Sequence, residues 1–369
     1  MKEIVPDKQG MALVTLFVVG NTLVFALGGR AGADIWLAFL TAIVLAAPFI
    51  LLFARLTSLM HGETFAAGVE KLFGKWPSRI IALLYAGYAW KLGCLVVSDV
   101  THFIQTVSLP TTPQTVMALA FGVLVIWIVK GGIEVLARFG SLMSRGVFSV
   151  LFIAFALLIN RIDLGQFMPV MYNGFGPVLE GALQLIDFPF LETVLLFWIF
   201  DGFHKKNSAY KVFVPGFLVG ALILFVMDCT SLAVLGADRY GIFYFPIFTA
   251  IARIDVSTFL TRLESIVAVT FAVGSFVKIA VCLLAASKAL AYALGFDDYR
   301  FLVTPLVLGT IPGSRWFVAT MMEIEASATK TISATTFLYH LVFPITFWIL
   351  AEVRLYLRKR NKAGKQRDI

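Results

Sequence analysis

The chain has 369 residues, of which 60% are hydrophobic and only 14% are charged, and its formal net charge is +8. A soluble domain is usually about half apolar and one quarter charged, so this composition excludes an ordinary soluble protein. A nucleic-acid-binding protein is also excluded, because the basic residues form no compact domain outside the apolar stretches.

Apolar stretches close to 20 residues long recur along the chain, and a helix of about that length crosses the ~30 Å hydrocarbon core of a bilayer. The pattern predicts an all-α polytopic membrane protein with ten transmembrane helices. The predicted spans are about 11–28, 34–54, 79–107, 114–130, 146–160, 181–201, 212–235, 264–294, 301–318 and 331–353.

The distribution of Lys and Arg predicts the orientation of these spans. Ten spans place about three times as many basic residues on the side of the two termini as on the other, and cytoplasmic loops carry the excess. Both termini are therefore expected in the cytoplasm, with residues 354–369 forming a basic tail beside the lipid surface. A docking site for a partner is the alternative for this tail.

The chain divides into two similar halves, predicted as five-helix repeats at 11–160 and 181–353 within one transmembrane domain, 1–369. Each half has a long connection after its second span, at 55–78 and 236–263. Because five is an odd number, the second repeat enters the membrane from the opposite side. Such a 5+5 inverted repeat is typical of secondary transporters, whose binding sites lie near the membrane midplane at broken helices.

Helix breaks are predicted in the first span of each half. The first span contains Gly20, Asn21 and Thr22 among apolar residues, and glycine and asparagine are weak helix formers. The sixth span contains the sequence IDFPFLE, in which Pro189 removes a backbone hydrogen bond. Taken singly, each feature could be an ordinary kink or packing site; their matched positions favour a ligand site.

Six charged residues fall within or near the ends of the spans, and each would cost about 2.5–3.5 kcal/mol at a lipid-facing helix centre. They must therefore face the bundle interior, water or an interface. They are Lys91, Asp99, Asp187, Glu192, Asp228 and Lys278. Lys278 has no acidic residue nearby in its own span, so its partner must come from another helix. Two interpretations stay open: a lysine that replaces a bound cation, and a structural salt bridge.

Enzymatic motifs are absent from the sequence. It contains no HExxH, GxSxG or CxxC motif and no phosphate-binding loop, and its four histidines are far apart. The cysteines Cys94, Cys229 and Cys282 all fall within apolar spans, which indicates neither a disulfide framework nor a metal site. We therefore expect a protein that is not an enzyme and needs no cofactor.

Several short motifs occur in order along the whole chain: VPDKQGMALVTLFVVGNTLVF, AGADIWLAFL, LPTTP, GIEVLAR, DFPFLE and TRLESI. With their spacing they resemble the GerAB-type spore germination proteins, the B subunits of nutrient germinant receptors and distant relatives of amino-acid and polyamine permeases. The resemblance implies the LeuT-like ten-helix fold and a location in the spore inner membrane. It also implies two partners, an A-type membrane subunit and a C-type lipoprotein, and a small nutrient ligand such as an amino acid.

The resemblance further implies a ligand pocket between spans 1, 3, 6 and 8. The ligand carboxylate would meet backbone N–H groups of the first span, and its ammonium would lie near sixth-span carbonyls and Asp187. The residues mapped to this pocket are Gly20, Asn21, Thr22, Tyr88, Lys91, Asp187, Phe188, Phe190, Gly274, Ser275 and Lys278. For the two phenylalanines, packing against protein or lipid is the alternative.

Asp99 is expected toward the outer end of the third span, facing an outward vestibule, and the LPTTP motif at 109–113 is expected to form a rigid turn after it. The leading hypothesis is a nutrient-sensing receptor subunit. The alternatives are a proton- or ion-coupled amino-acid transporter that uses the same site, and a water or ion path gated by the ligand.

Overall fold

A computed structural model describes residues 4–60, 64–200, 203, 207–253, 263–318, 320, 322–323 and 337–365. Parts of five predicted features therefore lie outside the described residues: 61–63 of the first long connection, 201 of the sixth span, 254–262 of the second long connection, 331–336 of the tenth span, and 366–369 of the basic tail.

The described chain is helical. The helices are α1 (Asp7–Val19), α2 (Ile35–Leu59), α3 (Phe65–Phe73), α4 (Lys75–Val107), α5 (Gln114–Lys130), α6 (Gly132–Leu158), α7 (Phe175–Leu185), α8 (Ser208–Leu235), α9 (Ala237–Tyr240), α10 (Pro246–Ile251), α11 (Leu263–Leu294), α12 (Arg300–Phe317) and α13 (Phe343–Lys365). Short 3₁₀ or distorted segments adjoin some of them, notably Thr22–Val24, Ile186–Phe190, Leu191–Trp198 and Phe337–Val342.

Seven helical segments of the described chain are long and apolar enough to cross a membrane, and Gln114–Lys130 is a shorter apolar helix. Each predicted span coincides with a helical segment, which confirms the predicted all-α polytopic membrane fold. The fifth span differs, because α6 begins at Gly132 rather than near 146. No proline interrupts 132–158, and Glu134 and Arg138, with 3.5 Å between their charged atoms, lie on the first turns of this helix.

The first span is broken as predicted. α1 ends at Val19, Gly20 has non-helical backbone angles (φ 0°, ψ −114°), and a short 3₁₀ turn follows at Thr22–Val24. A break at membrane depth needs internal hydrogen bonds, since no water reaches it. The Thr22 hydroxyl lies 2.6 Å from the Val18 carbonyl and 2.7 Å from that of Val19, both of which it can reach as a donor.

The sixth span is broken at the predicted proline. α7 ends at Leu185, Phe188 is extended (φ −140°, ψ 115°), and the 3₁₀ segment Leu191–Trp198 continues beyond Pro189. The Thr193 hydroxyl donates a 2.7 Å hydrogen bond to the Phe190 carbonyl, one of the backbone groups released by the break. Both breaks therefore follow from local sequence and are stabilised by a nearby threonine.

The two longest helices, α4 and α11, pack against each other along their lengths. Gly93 on α4 lies at this contact, where a β-carbon would meet Leu283 at 3.4 Å and Cys282 at 3.5 Å. Further along, the ring of Phe103 contacts that of Phe271 at 4.5 Å between centroids. The pair is antiparallel, since residue numbers rise on one helix as they fall on the other.

Two glycines on α8 hold α1 in close contact. A β-carbon at Gly216 would lie 2.7 Å from the Val14 β-carbon, and one at Gly220 would lie 2.9 Å from that of Val18. Small residues four apart let membrane helices approach closely, and the resulting packing replaces the hydrophobic effect as the source of their association. The part of the first span before the break, α1, is thereby packed tightly against α8.

Two groups of aromatic rings lie on opposite sides of the bundle centre. The Phe65 cluster lies on the side where α1 begins, with rings joined at 5.0–6.0 Å; it comprises Phe65, Tyr85, Phe197, Trp198, Tyr339, Phe343 and Phe347. The Phe103 cluster lies on the other side; it comprises Phe25, Phe103, Phe188, Phe245, Phe248 and Phe271. Phe188, in the break of the sixth span, belongs to the Phe103 cluster.

The close packing of α1 on α8 predicts that adding one methyl group at Gly216 lowers the stability of the protein. Gly216→Ala should destabilise the protein by about 1–3 kcal/mol, because the new β-carbon overlaps Val14 and forces the helices apart. Gly87→Ala is the matched control, since its β-carbon would meet no atom within 4 Å on the exposed face of α4. Thermal unfolding of the purified protein in detergent measures both, and equal melting temperatures would contradict the predicted role of Gly216.

Candidate functional site

The break in the first span lies directly against α11. A β-carbon at Gly274 would lie 3.1 Å from the Gly20 carbonyl oxygen and 3.3 Å from its α-carbon. On the other side, a β-carbon at Gly20 would lie 3.0 Å from the Lys278 δ-carbon. Two glycines thus bring the irregular backbone of the first span into contact with α11 and with the stem of its lysine.

Lys278 forms a buried ion pair with Glu192. Its Nζ lies 2.5 Å from a Glu192 carboxylate oxygen, and the two side chains are 0% and 6% exposed. Glu192 belongs to the 3₁₀ segment that follows the break in the sixth span. The partner that Lys278 required from another helix therefore comes from the sixth span.

Two aromatic rings complete the surroundings of the Lys278 ammonium. It lies 4.7 Å from the centroid of Phe188, in the break of the sixth span, and 5.2 Å from that of Phe17 on α1. A cation over an aromatic face is attracted to the ring, more strongly when it is removed from water. Lys278 thus contacts the first and sixth spans from α11, which makes it the residue at which the two breaks meet.

Asn21 and Asp99 link the first span to α4. The Asn21 side-chain nitrogen donates a 2.5 Å hydrogen bond to a carboxylate oxygen of Asp99. Asp99 is only 8% exposed. The expectation that Asp99 faces an outward vestibule is wrong. Its side chain is buried in the bundle interior beside the break, where its carboxylate accepts the hydrogen bond from Asn21.

Tyr88 lies on the same helix as Asp99, about three turns nearer the Phe65 cluster. Its hydroxyl shares a 2.6 Å hydrogen bond with His340 Nε2, and its ring stacks on Tyr339 at 4.7 Å between centroids. These contacts tie α4 to the distorted segment Phe337–Val342 at the start of the last span.

The structure brings most of the predicted site residues together. Gly20, Phe188, Gly274 and Lys278 are in direct contact, Asn21 and Thr22 adjoin them in the chain, and Ser275 is fully buried next to Gly274. Asp187 lies half-buried at the break of the sixth span.

Two of the predicted residues lie elsewhere. Lys91 Nζ lies 5.9 Å from the ring centroid of Phe317 at the end of α12, and its side chain is half-buried. Phe190 is fully buried against Phe217 of α8, at 4.9 Å between centroids.

The predicted pocket left out three residues that the structure places at the breaks, Phe17, Asp99 and Glu192, and a fourth, His340, that contacts Tyr88. Asp99 and Glu192 carried a usable signal, since an intramembrane charge is a functional candidate in its own right. Phe17 and His340 carried none, because their positions depend on how α1 and the last span face the centre.

Comparison with known proteins identifies the family. A family model described as spore germination protein matches residues 4–314 of the chain. The chain belongs to the spore germination protein family. The match covers nearly the whole bundle described above, including both breaks and the Lys278–Glu192 pair.

Similar sequences carry the same description. Spore germination protein KB of Bacillus subtilis (strain 168) is 24% identical over 362 residues, covering 97% of this chain and 96% of that protein. Putative spore germination protein YfkT of the same organism is 27% identical over 294 residues, covering 78% of each chain. With these relatives, the apolar helices make this spore germination protein a multi-pass integral membrane protein.

Two solved structures share its fold. Mhp1, a nucleobase-cation-symport-1 family transporter in a closed conformation with bromovinylhydantoin bound, has a TM-score of 0.66 at 14% identity, covering 99% of this chain and 94% of that one. A Na⁺-coupled sialic acid symporter in an outward-open state has a TM-score of 0.59 at 11% identity, covering 92% and 79%. At these identities the likeness establishes the fold alone, which this chain shares with both transporters. The relatives and neighbours named here are germination proteins and transporters rather than enzymes.

The buried ion pair predicts how lysine variants behave. Lys278→Met should destabilise the protein by about 3–5 kcal/mol, because it leaves the Glu192 carboxylate buried without its counter-ion. The double variant Lys278→Met with Glu192→Leu should recover most of this loss, since it removes both charges together.

The exposed pair Arg30–Glu180, with its charged atoms 3.2 Å apart, supplies the control. Arg30→Met should cost less than about 1 kcal/mol. Melting temperatures of the purified proteins measure all three variants. A double variant no more stable than Lys278→Met would show that the pair is not the source of the loss.

Proposed function

We propose that this protein is the membrane subunit of a spore nutrient germinant receptor, which binds a small nutrient, an amino acid by preference, and triggers germination. The observation that carries the proposal is the meeting of two broken spans at one buried lysine, in a chain of the spore germination protein family. Irregular backbone at membrane depth offers N–H and C=O groups to a ligand without the cost of unfolding a helix.

The proposed ligand lies between the breaks at Gly20 and Phe188. Its carboxylate meets backbone N–H groups of the first span, and its ammonium lies near sixth-span carbonyls and Asp187. Gly20, Asn21, Thr22, Phe188, Gly274 and Ser275 supply the surroundings. Tyr88 closes the site toward α4 through its contact with His340.

Lys278 supplies a route from binding to response. It contacts Glu192 of the sixth span, the ring of Phe17 on the first, and its own helix α11. A ligand that binds one relative position of these three spans more tightly than another shifts the population toward the position that it favours. Nutrient bound at the breaks therefore changes the relative positions of three spans, which is the signal that partner subunits would detect.

The proposed assembly follows from the family. An A-type membrane subunit and a C-type lipoprotein are the expected partners, and the spore inner membrane is the expected location, with both termini in the cytoplasm. Within the chain, 11–160 and 181–353 are proposed as the two inverted five-helix repeats. The short helices α3 and α10 support this division, because each lies in the long connection after the second span of its half.

The function is tested with spores of a strain that lacks the gene. We expect these spores to lose germination in response to one nutrient from a panel of amino acids and sugars, while vegetative uptake of the same panel stays normal. Lost uptake with normal germination would instead identify an amino-acid transporter that shares the fold.

The place of the site is tested with Gly20→Leu. A side chain there would collide with the stem of Lys278, whose δ-carbon lies 3.0 Å from the position that a β-carbon on Gly20 would occupy, and would fill the break. We expect at least about a 10-fold loss of nutrient response at unchanged membrane level, equivalent to about 1.4 kcal/mol of binding free energy.

Gly146→Leu is the matched control, since a β-carbon at this exposed position on α6 meets nothing within 4 Å. Germination rate against nutrient concentration and an immunoblot of spore membranes are the measurements. A Gly20→Leu protein that is present and responds like the control would remove the first span from the site.

A further inference from the structure

The segment 164–175, which leads from the fifth span to the sixth, is apolar and exposed along most of its length. It contains no charged residue. Six of its side chains are large and apolar and are 43–81% exposed: Leu164, Met168, Val170, Met171, Tyr172 and Phe175. A concentration of exposed apolar side chains outside the spans marks an interaction surface.

The 164–175 segment lies on the side of the bundle opposite to the start of α1. The two ends of the chain segment that precedes it are fixed: α6 begins near the N-terminus, where the Glu134 carboxylate accepts a 3.0 Å hydrogen bond from the Ile4 N–H. α6 has 27 residues and is therefore about 40 Å long, which carries its end across the bundle.

The segment turns hydrogen-bonding groups toward the protein. The Met171 N–H lies 2.9 and 3.0 Å from the two carboxylate oxygens of buried Asp34, and Gln166 Oε1 accepts a 3.3 Å hydrogen bond from the Ala237 N–H. Phe167 packs against the core. Met171 has a positive φ of 54°, a conformation that the surrounding contacts must hold in place for a residue with a side chain. Polar groups inward and apolar side chains outward are the reverse of a loop that faces water.

The adjoining fifth span indicates what covers this surface. Its charge-free stretch, 146–160 between Arg145 and Arg161, is about 22 Å long as a helix, whereas the hydrocarbon core of a bilayer is ~30 Å thick. Exposed apolar side chains continue from Phe152 to Ile159 at the end of the span and then onto the segment. The segment thus extends the lipid-facing surface of the span, and the long side chain of Arg161 can reach the headgroups.

We propose that the 164–175 segment lies in the interface of the lipid bilayer, with its six exposed apolar side chains inserted at the edge of the hydrocarbon core. Aromatic side chains such as Tyr172 are typical of this layer, and a segment with one apolar face lies in its plane. The partner is the lipid surface on the side opposite to the start of α1. Because α7 begins at Phe175 and leads into the break at Phe188, this contact anchors the sixth span at a fixed depth.

The test places a probe on the segment in the full-length protein, reconstituted alone into liposomes of phosphatidylcholine and phosphatidylglycerol. Met168→Cys and Tyr172→Cys are each labelled with a nitrobenzoxadiazole fluorophore. The unaltered protein measures background labelling, since its cysteines are buried or half-buried. Phosphatidylcholine with a doxyl group on the acyl chain near the headgroup quenches the probe from the lipid, and iodide on both sides of the bilayer quenches it from water.

Two matched variants calibrate the quenching. Phe152→Cys places the probe on an exposed position within the fifth span, and Asp238→Cys places it on an exposed position of α9, on the same side as the segment. We expect the loss of fluorescence with doxyl lipid at positions 168 and 172 to be closer to that at position 152 than to that at position 238. With iodide the order should be reversed. Melting temperatures of the unlabelled variants show that each one folds.

Two results would overturn the proposal. Stronger quenching by iodide than by doxyl lipid at either position would place the segment in water, where it would be available to a protein subunit. Weak quenching by both agents would show that a second copy of this chain covers it. No nutrient or partner subunit is present, so the result does not depend on the proposed receptor function.

Discussion

A backbone that leaves the helix inside a membrane finds no water to satisfy its polar groups, and the organisation of this bundle depends on that constraint. The breaks at Gly20 and Phe188 are tolerated because Thr22 and Thr193 bond released carbonyls and α11 covers the first break. Each satisfied break leaves polar backbone at the bundle centre. The same arrangement that stabilises the fold therefore also creates the place that we propose for the ligand.

The Lys278–Glu192 pair joins the two breaks energetically. Taking two charges out of water is expensive, and a buried ion pair gives little net stability over apolar side chains of similar volume. Its effect is on geometry instead. Each buried charge is costly without its partner, so the pair holds α11 and the sixth span in one relative position. Phe17 and Phe188 extend this dependence to the first span through the faces of their rings.

Much of this architecture was readable from the sequence, but the side-chain pairing at its centre was not. The breaks were predictable because glycine, asparagine and proline act on their own backbone. The pairing of Lys278 with Glu192 was not, since it depends on which faces of two distant spans meet. Lys91 shows the same limit: like Lys278 it lies well inside a long helix, yet its ammonium lies by Phe317. Periodicity predicts a helix, but only packing fixes its rotation.

The Phe65 cluster opposes the passage of solutes between the helix breaks and the side of the bundle where α1 begins. A solute moving from the breaks toward the side where α1 begins must separate rings from α3, α4, the sixth span and the last span. Ring pairs of this kind contribute about 0.5–1.5 kcal/mol each beyond their buried area, so parting several costs about 3 kcal/mol or more. A penalty of that size holds the open form below about 1% of molecules. In the described structure these packed rings therefore close the bundle on the side where α1 begins.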